Sequence, residues 1–328
     1  MLVINKTLKI ELIVILLCAV SIVSYAQLNP SSSQYLQTQY FLNPAYSGTS
    51  NTMAINMMAR KQWAGIDGAP TNYQLSVHTP INKTMMSVGG GVRYQQYGIN
   101  KLYNADLSYA YLLKISPVTF ISLGINASYS SFNVGFDQLN VIHDNDPFFA
   151  IGNEGASSFN TGAGAFLYGR SFFLGFSASN LFGIQTDNSN ESINSLLSTK
   201  NYHVVTGYLF HVGRSIGIRP TLKLMYQTSE INELSTGLQF LYKELFWMGA
   251  VYNNNGWVSS IINFQIKSDL GLAYAFDFTV SDNSIDRNNH EISLSYNINS
   301  LIKKNKKREF GVRKGKKHKE GIKSLRNF

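Results

Sequence analysis

Hydrophobic and polar residues alternate with a period of two along most of this chain, which marks half-buried β-strands. The stretch from Asn43 to Ile81 sets the pattern: turn, strand, turn, strand. Asn43-Pro44-Ala45 and Ser47-Gly48 punctuate its entry, and Met53, Ile55 and Met57 alternate up to Trp63. Gly65 to Pro70 interrupts, then Tyr73, Leu75 and Val77 resume. The cleanest run comes last, with Ile292, Leu294, Tyr296 and Ile298 opposite Glu291, Ser293, Ser295 and Asn297. Another places Tyr103, Ala105, Leu107, Tyr109 and Tyr111 opposite Asn104, Asp106, Ser108 and Ala110.

This reading predicts fourteen strands, at 52–63, 72–79, 86–97, 102–114, 118–132, 158–168, 172–181, 201–212, 216–227, 233–243, 245–253, 256–266, 269–280 and 289–299. Links after even strands are mostly tight, as at Ile115-Ser116-Pro117 and Gly169-Arg170-Ser171. Links after odd strands include the longest, 133–157, 182–200 and 281–288. An outer-membrane barrel with both termini inside has this parity, short turns facing the periplasm and long loops facing out. The expected domains are a signal peptide over 1–26, an irregular lead-in over 27–51, a barrel over 52–300 and a basic tail over 301–328. The lead-in has no clean period, and we expect it in the lumen or at the periplasmic mouth.

Composition sharpens the fold class. Charged residues make up only 14% and aromatics 13%, and beyond the signal segment no run of 18 apolar residues exists to form a transmembrane helix. A water-soluble β-sandwich would alternate as well, but it needs a charged outer face. Here one face carries Leu, Ile, Tyr and Ala, and the other Ser, Asn, Gln, Gly and Thr. That pairing suits lipid outside and a polar lumen within.

The N-terminus adds the compartment. Lys6 and Lys9 precede an apolar run from Leu12 to Val20, and Ser24-Tyr25-Ala26 offers a cleavage site before Gln27, the layout of a secretory signal. Cys18, the one cysteine, leaves with it, so the mature chain has neither disulfides nor thiolate ligands. The formal charge of +9 is local. Residues 303–328 hold 12 Lys+Arg and 2 Glu, leaving 16 Lys+Arg against 17 Asp+Glu elsewhere. A secreted chain makes nucleic acid an improbable partner. We expect the tail either to dock on anionic headgroups, peptidoglycan or an acidic periplasmic partner, or to be a solvated extension.

Catalytic and ligand-binding signals are weak. Gly89-Gly90-Gly91 and Gly162-Ala163-Gly164 open no helix and read as strand glycines that leave lumen space. Among the histidines, His203 and His211 are separated by about 26 Å of extended chain, too far for one metal. Ser76 and His78 share a strand face, but no carboxylate or oxyanion donor joins them, so no enzyme and no cofactor is expected. The loop His143-Asp144-Asn145-Asp146-Pro147 concentrates oxygen ligands yet lacks the glycine and glutamate of a calcium hand. Asn and Asp are standard turn formers, and a turn-rich loop is the expected reading. Tyr94, Tyr97, Tyr103, Tyr129, Phe132, Trp247, Tyr252 and Trp257 lie near strand ends and are expected in interfacial girdles.

Several segments in order are similar to the PorP/SprF family of type IX secretion outer-membrane proteins. They begin with Phe41-Leu42-Asn43-Pro44-Ala45-Tyr46-Ser47-Gly48, then Arg60-Lys61-Gln62-Trp63-Ala64-Gly65-Ile66-Asp67-Gly68-Ala69-Pro70. His78-Thr79-Pro80-Ile81, Gly175-Phe176-Ser177-Ala178-Ser179-Asn180-Leu181 and Arg219-Pro220-Thr221-Leu222-Lys223 follow. Phe246-Trp247-Met248-Gly249, Tyr274-Ala275-Phe276-Asp277-Phe278-Thr279 and His290-Glu291-Ile292-Ser293-Leu294 complete the series. The resemblance implies a non-enzymatic component of the type IX export and gliding machinery, which docks or anchors exported cargo or surface adhesins. Its partners would be outer-membrane lipid, the secretion machinery and that cargo. A passive or hydrophobic-solute channel on the same barrel is the alternative. On this reading Arg60 and Trp63 sit at the outer end of the first strand and help register the seam with the last.

Overall fold

The computed structural model describes residues 32–81, 84–136, 154–185, 197–213, 215–227, 230–243, 245–267, 269–280 and 288–298. The signal segment, the basic tail and the His143–Pro147 loop lie outside them.

One antiparallel sheet closes on itself as a barrel of fourteen strands. In chain order they are β1 (Met53–Lys61), β2 (Thr71–Pro80), β3 (Met86–Tyr97), β4 (Asn100–Lys114), β5 (Phe120–Val134), β6 (Glu154–Tyr168) and β7 (Phe172–Gln185). There follow β8 (Asn201–Tyr208, continued after Leu209 by Phe210–Val212), β9 (Ile216–Gln227), β10 (Glu230–Tyr242), β11 (Phe246–Asn253), β12 (Trp257–Lys267), β13 (Leu270–Thr279) and β14 (Asn289–Ile298). The break in β8 has a local cause. Its two pieces both pair with β9, on either side of Arg219 and Pro220. Proline has no N–H for a ladder, so the partner strand loses its regular pairing there.

The first and last strands close the barrel, with Met53 opposite Ile298 and Lys61 opposite His290. Closure leaves no open sheet edge, which a lipid environment would not tolerate. Connections after even strands are short, as at 169–171 and 213–215, and the long ones, 62–70, 135–153, 186–200 and 280–288, all follow odd strands. The barrel therefore has a short-turn end and a long-loop end, which by the general rule for such barrels faces outward.

The two faces separate as the alternation requires. Outward positions are large and apolar: Leu107 is 70% exposed, Ile125 60%, Phe176 52% and Ile292 50%. A belt of this extent is compatible with hydrocarbon and not with water. Inward positions are polar or small, among them Asn72, Ser76, Ser87, Ser122, Ser158, Ser235 and Ser259, all buried.

Burial of the inner face comes from the lead-in. A short helix α1 (Gln39–Leu42) and a 3₁₀ turn (Pro44–Gly48) lie in the lumen. The main core cluster joins Tyr35, Leu36 and Ala45 of this segment to inward residues of the wall, including Leu112, Phe120, Phe166, Phe173, Val251 and Ile261. The segment runs the length of the barrel. Ser32 to Gln34 meet β13 and β14 near their long-loop ends. Gly48 lies against Ser122 and Ala110, beside the short turn that joins β4 to β5. The lead-in is thus a lumen plug and not a cap on the periplasmic mouth.

The aromatic expectation needs correction. Tyr103, Tyr129 and Tyr252 do face outward, but Trp247, Trp257 and Phe132 are 1%, 4% and 5% exposed and point into the lumen. Tyr97 packs inward against Phe132. Nearness to a strand end does not decide the face; parity within the strand does, and these residues share parity with buried neighbours such as Asn253 and Ser259.

Candidate functional site

Charge on a strand of this barrel has one place to go, because lipid on the outer face penalises it. Arg60 on β1, Asp277 on β13 and Glu291 on β14 all point inward and meet across the seam. The Arg60 Nη1 atom lies 2.7 Å from Glu291 Oε2, and Nη2 lies 2.8 Å from Asp277 Oδ2. All three side chains are 1% exposed. Arg60 and Glu291 are also direct cross-strand partners at the closing ladder. The guanidinium sits 5.8 Å from the Trp257 ring centroid, so that inward tryptophan lines the cation.

Two carboxylates against one cation leave an excess of acceptors, and the lead-in supplies the donors. The Ser32 hydroxyl donates to Glu291 Oε1 at 2.5 Å, the Ser33 N–H to Oε2 at 3.1 Å and the Gln34 N–H to Oε1 at 3.1 Å. The Ser33 hydroxyl donates to Asp277 Oδ1 at 2.6 Å, joined there by the Ser259 hydroxyl. Asn289 donates to Asp277 Oδ2 at 3.3 Å. The Gln34 amide donates to the Glu291 carbonyl and accepts from Ser293. Buried carboxylates are tolerated when each lone pair finds a donor, and here the plug provides most of them. We refer to this cluster as the latch.

A second set lies on β9 and its neighbours. Lys223 Nζ lies 2.9 and 2.8 Å from the two Glu233 oxygens, and Asn253 and Ser235 donate to the same carboxylate. Arg219 donates to Gln239 Oε1 and stacks 3.9 Å from the Trp247 ring centroid. Tyr35 of the plug shares a 2.6 Å hydrogen bond with Thr221. Burial pushes its phenol up to about 12, so it remains protonated.

At the short-turn end the plug is held by shape. Asn43 caps the 3₁₀ turn through Ala45 N–H and donates to the carbonyls of Ala165 and Phe176. Pro44 occupies the first turn of that helix. A Cβ on Gly124 would overlap the backbone of Pro44 and Ala45, and one on Gly91 would come within 2.8 Å of the Tyr40 and Phe41 rings. His78 and Ser76 face this packing: His78 stacks on Tyr40 at 6.1 Å and meets the edge of Tyr46 at 5.5 Å. The strand-glycine reading of Gly89, Gly91 and Gly164 therefore gains a purpose, since these positions make room for Tyr40, Phe41 and Asn43.

The remaining motif residues have local structural roles. Gln62 N–H bonds to the Pro70 carbonyl, closing the turn that holds Gly68 and Ala69. Gly68 adopts a φ of 73° and its carbonyl accepts from Gly98. Trp63 has a φ of 47°, and its N–H donates to Asn289 Oδ1, tying this turn to the last strand. Asn180, with a φ of 57°, and Leu181 form a bulge opposite Gly162, where the β6–β7 register shifts. Gly249 allows close approach of Gln239, and Pro80 ends β2. Tyr274 and His290 bond at 2.8 Å on the outer face. Ser32, Ser33, Gln34, Tyr35, Glu233 and Ser259 escaped the sequence reading. The available signal was negative: charges are few on these strands, and one whose parity points inward calls for a partner inside.

No curated protein matches the chain. Among solved structures, the toluene transporter TbuX of Ralstonia pickettii is similar at 9% identity and a TM-score of 0.48, covering 81% of this chain and 93% of that one. The CymD monoaromatic hydrocarbon channel gives 12% and 0.48 over 81% and 92%, and a Pseudomonas aeruginosa FadL homologue 9% and 0.42 over 82% and 94%. The family model of the type IX secretion system membrane protein PorP/SprF matches residues 24–296, and thus spans the plug and all but the last two residues of the barrel. This chain is an outer-membrane β-barrel and belongs to the PorP/SprF family of type IX secretion system membrane proteins.

Proposed function

We propose that this protein is a non-enzymatic docking barrel of type IX export and gliding, which holds exported cargo or a surface adhesin at the outer membrane. Family membership associates it with the secretion machinery. The observation that carries the finer reading is the plug. A segment latched by buried ionic and hydrogen-bonded contacts at one end, and socketed among glycines at the other, suits a rigid platform better than a conduit. Recognition then falls to the long-loop end and the lumen above the plug, through shape and hydrogen bonding and without bond chemistry. The basic tail would dock at the periplasmic face.

Two measurements test this together. Solubilised from cells that export, the intact barrel should co-purify with a secreted protein, and its loss should abolish surface retention of that protein. In planar bilayers the intact protein should stay closed, whereas a chain lacking residues 32–50 should conduct. A conducting intact barrel whose deletion leaves export unchanged would establish the channel alternative instead.

A further inference from the structure

The plug does not fill the lumen evenly. In the half nearer the long loops lies a cavity of about 180 Å³, floored by Tyr35, Thr38 and Phe41 of the plug. Its walls come from the long-loop halves of β2 to β10 and are dense in amides and hydroxyls. Gln95, Asn126, Asn201 and Gln227 are among them.

Three features restrict what fits there. First, the charges cancel: Lys223 and Glu233 neutralise each other, and Arg93 faces the same space as Asp106. A strongly anionic or cationic ligand has no net field to follow. Second, the two floor rings are already engaged by cations, Lys223 over Tyr35 at 5.8 Å and Arg93 over Phe41 at 5.0 Å, which disfavours sugar stacking. Tyr35 is also only 1% exposed. Third, Gln95 Oε1, Asn201 Oδ1, Asp106 Oδ2 and Arg93 Nε are buried with no hydrogen-bond partner among the described residues. Gln95 and Asn201 are 3% and 8% exposed. Buried polar atoms are nearly always bonded, to protein, water or ligand, so three acceptors and one donor gathered on one cavity form a contact set for a ligand carrying donors and acceptors together.

A peptide backbone meets that demand, with one donor and one acceptor at each residue. Leu42, Leu102, Leu197 and Met225 add apolar lining for a small side chain. The volume lies below the roughly 300 Å³ floor of ordinary small-molecule pockets, which suits a chain end or loop tip and excludes a folded domain. We propose that this cavity receives a short, uncharged peptide segment of an exported protein, entering from the long-loop end. The inference rests on the docking reading above and gives it a site.

The test places a photo-crosslinking amino acid at Gln95, at Asn201 and, as control, at Ser76, which lies under the plug. In exporting cells, Gln95 and Asn201 should crosslink a short segment of one secreted polypeptide, and Ser76 none. Asn201→Leu should lower the Gln95 adduct about tenfold while heat-dependent gel mobility is kept. Suppose a secreted protein co-purifies with the barrel, yet both probes yield only intramolecular adducts: the cavity inference is then wrong and docking stands. Glycan adducts at either probe would overturn it equally, and loss of co-purification itself would remove both readings.

Discussion

The two ends of the plug are held by opposite physics. Near the long loops, Ser32–Gln34 are gripped by a seam-spanning cluster of charge, where hydrogen bonds satisfy carboxylates that could not otherwise be buried. Near the short turns, Asn43–Gly48 rest in a socket of glycines and aromatic rings, held by close packing and few polar contacts. The first grip is strong only while every partner is present, because removing one strands the rest. The second is additive and forgiving of polar change but intolerant of added volume.

Arg60→Met should be the most damaging change at either end. It leaves Asp277 and Glu291 buried without a cation, a loss of about 3–5 kcal/mol, read as a lowered midpoint of the heat-dependent gel shift. Gly124→Val should cost about 1–3 kcal/mol by overpacking Ala45. It should also expose a cysteine placed at Ser47 to a periplasmic thiol reagent, with the latch intact. Asn43→Ala removes a cap and two carbonyl partners, and a loss of about 1–2 kcal/mol is expected on the same gel assay. The mildest is Tyr35→Phe, about 0.5–1.5 kcal/mol, because a single neutral hydrogen bond to Thr221 is lost. Adding Thr221→Val to it should recover part of that loss, since neither partner is then left unsatisfied. If Gly124→Val proved as harmful as Arg60→Met, the distinction between the two grips would fail.

The barrel was legible because lipid on one side and a polar lumen on the other force strict alternation, as in Ile292 to Ile298. Three strands, 86–97, 201–212 and 216–227, were read with the outer bounds they have in the structure, the second without its break at Leu209. The seam pairing of Arg60 with the last strand also followed, since closure must bring β1 to β14. What alternation cannot convey is the third dimension inside the lumen. Ser32–Ser50 has no period because it touches all sides of the wall in turn, so its path could not be read locally. The inward turn of Trp247 and Trp257 was missed for a related reason. An aromatic near a strand end suits an interface girdle, but these two share parity with inward residues and pack against the buried cations Arg219 and Arg60.

The latch also bears on how the protein is assembled. Arg60 and Glu291 lie 231 positions apart in the chain, and Ser32 and Glu291 lie 259 apart. Contacts of such separation form late, after the intervening hairpins have wrapped round. Insertion of the final strand therefore completes the wall and neutralises the trapped carboxylates in one event. An incompletely wrapped chain would carry Arg60 and Asp277 without their third member, each short of a partner for its charge.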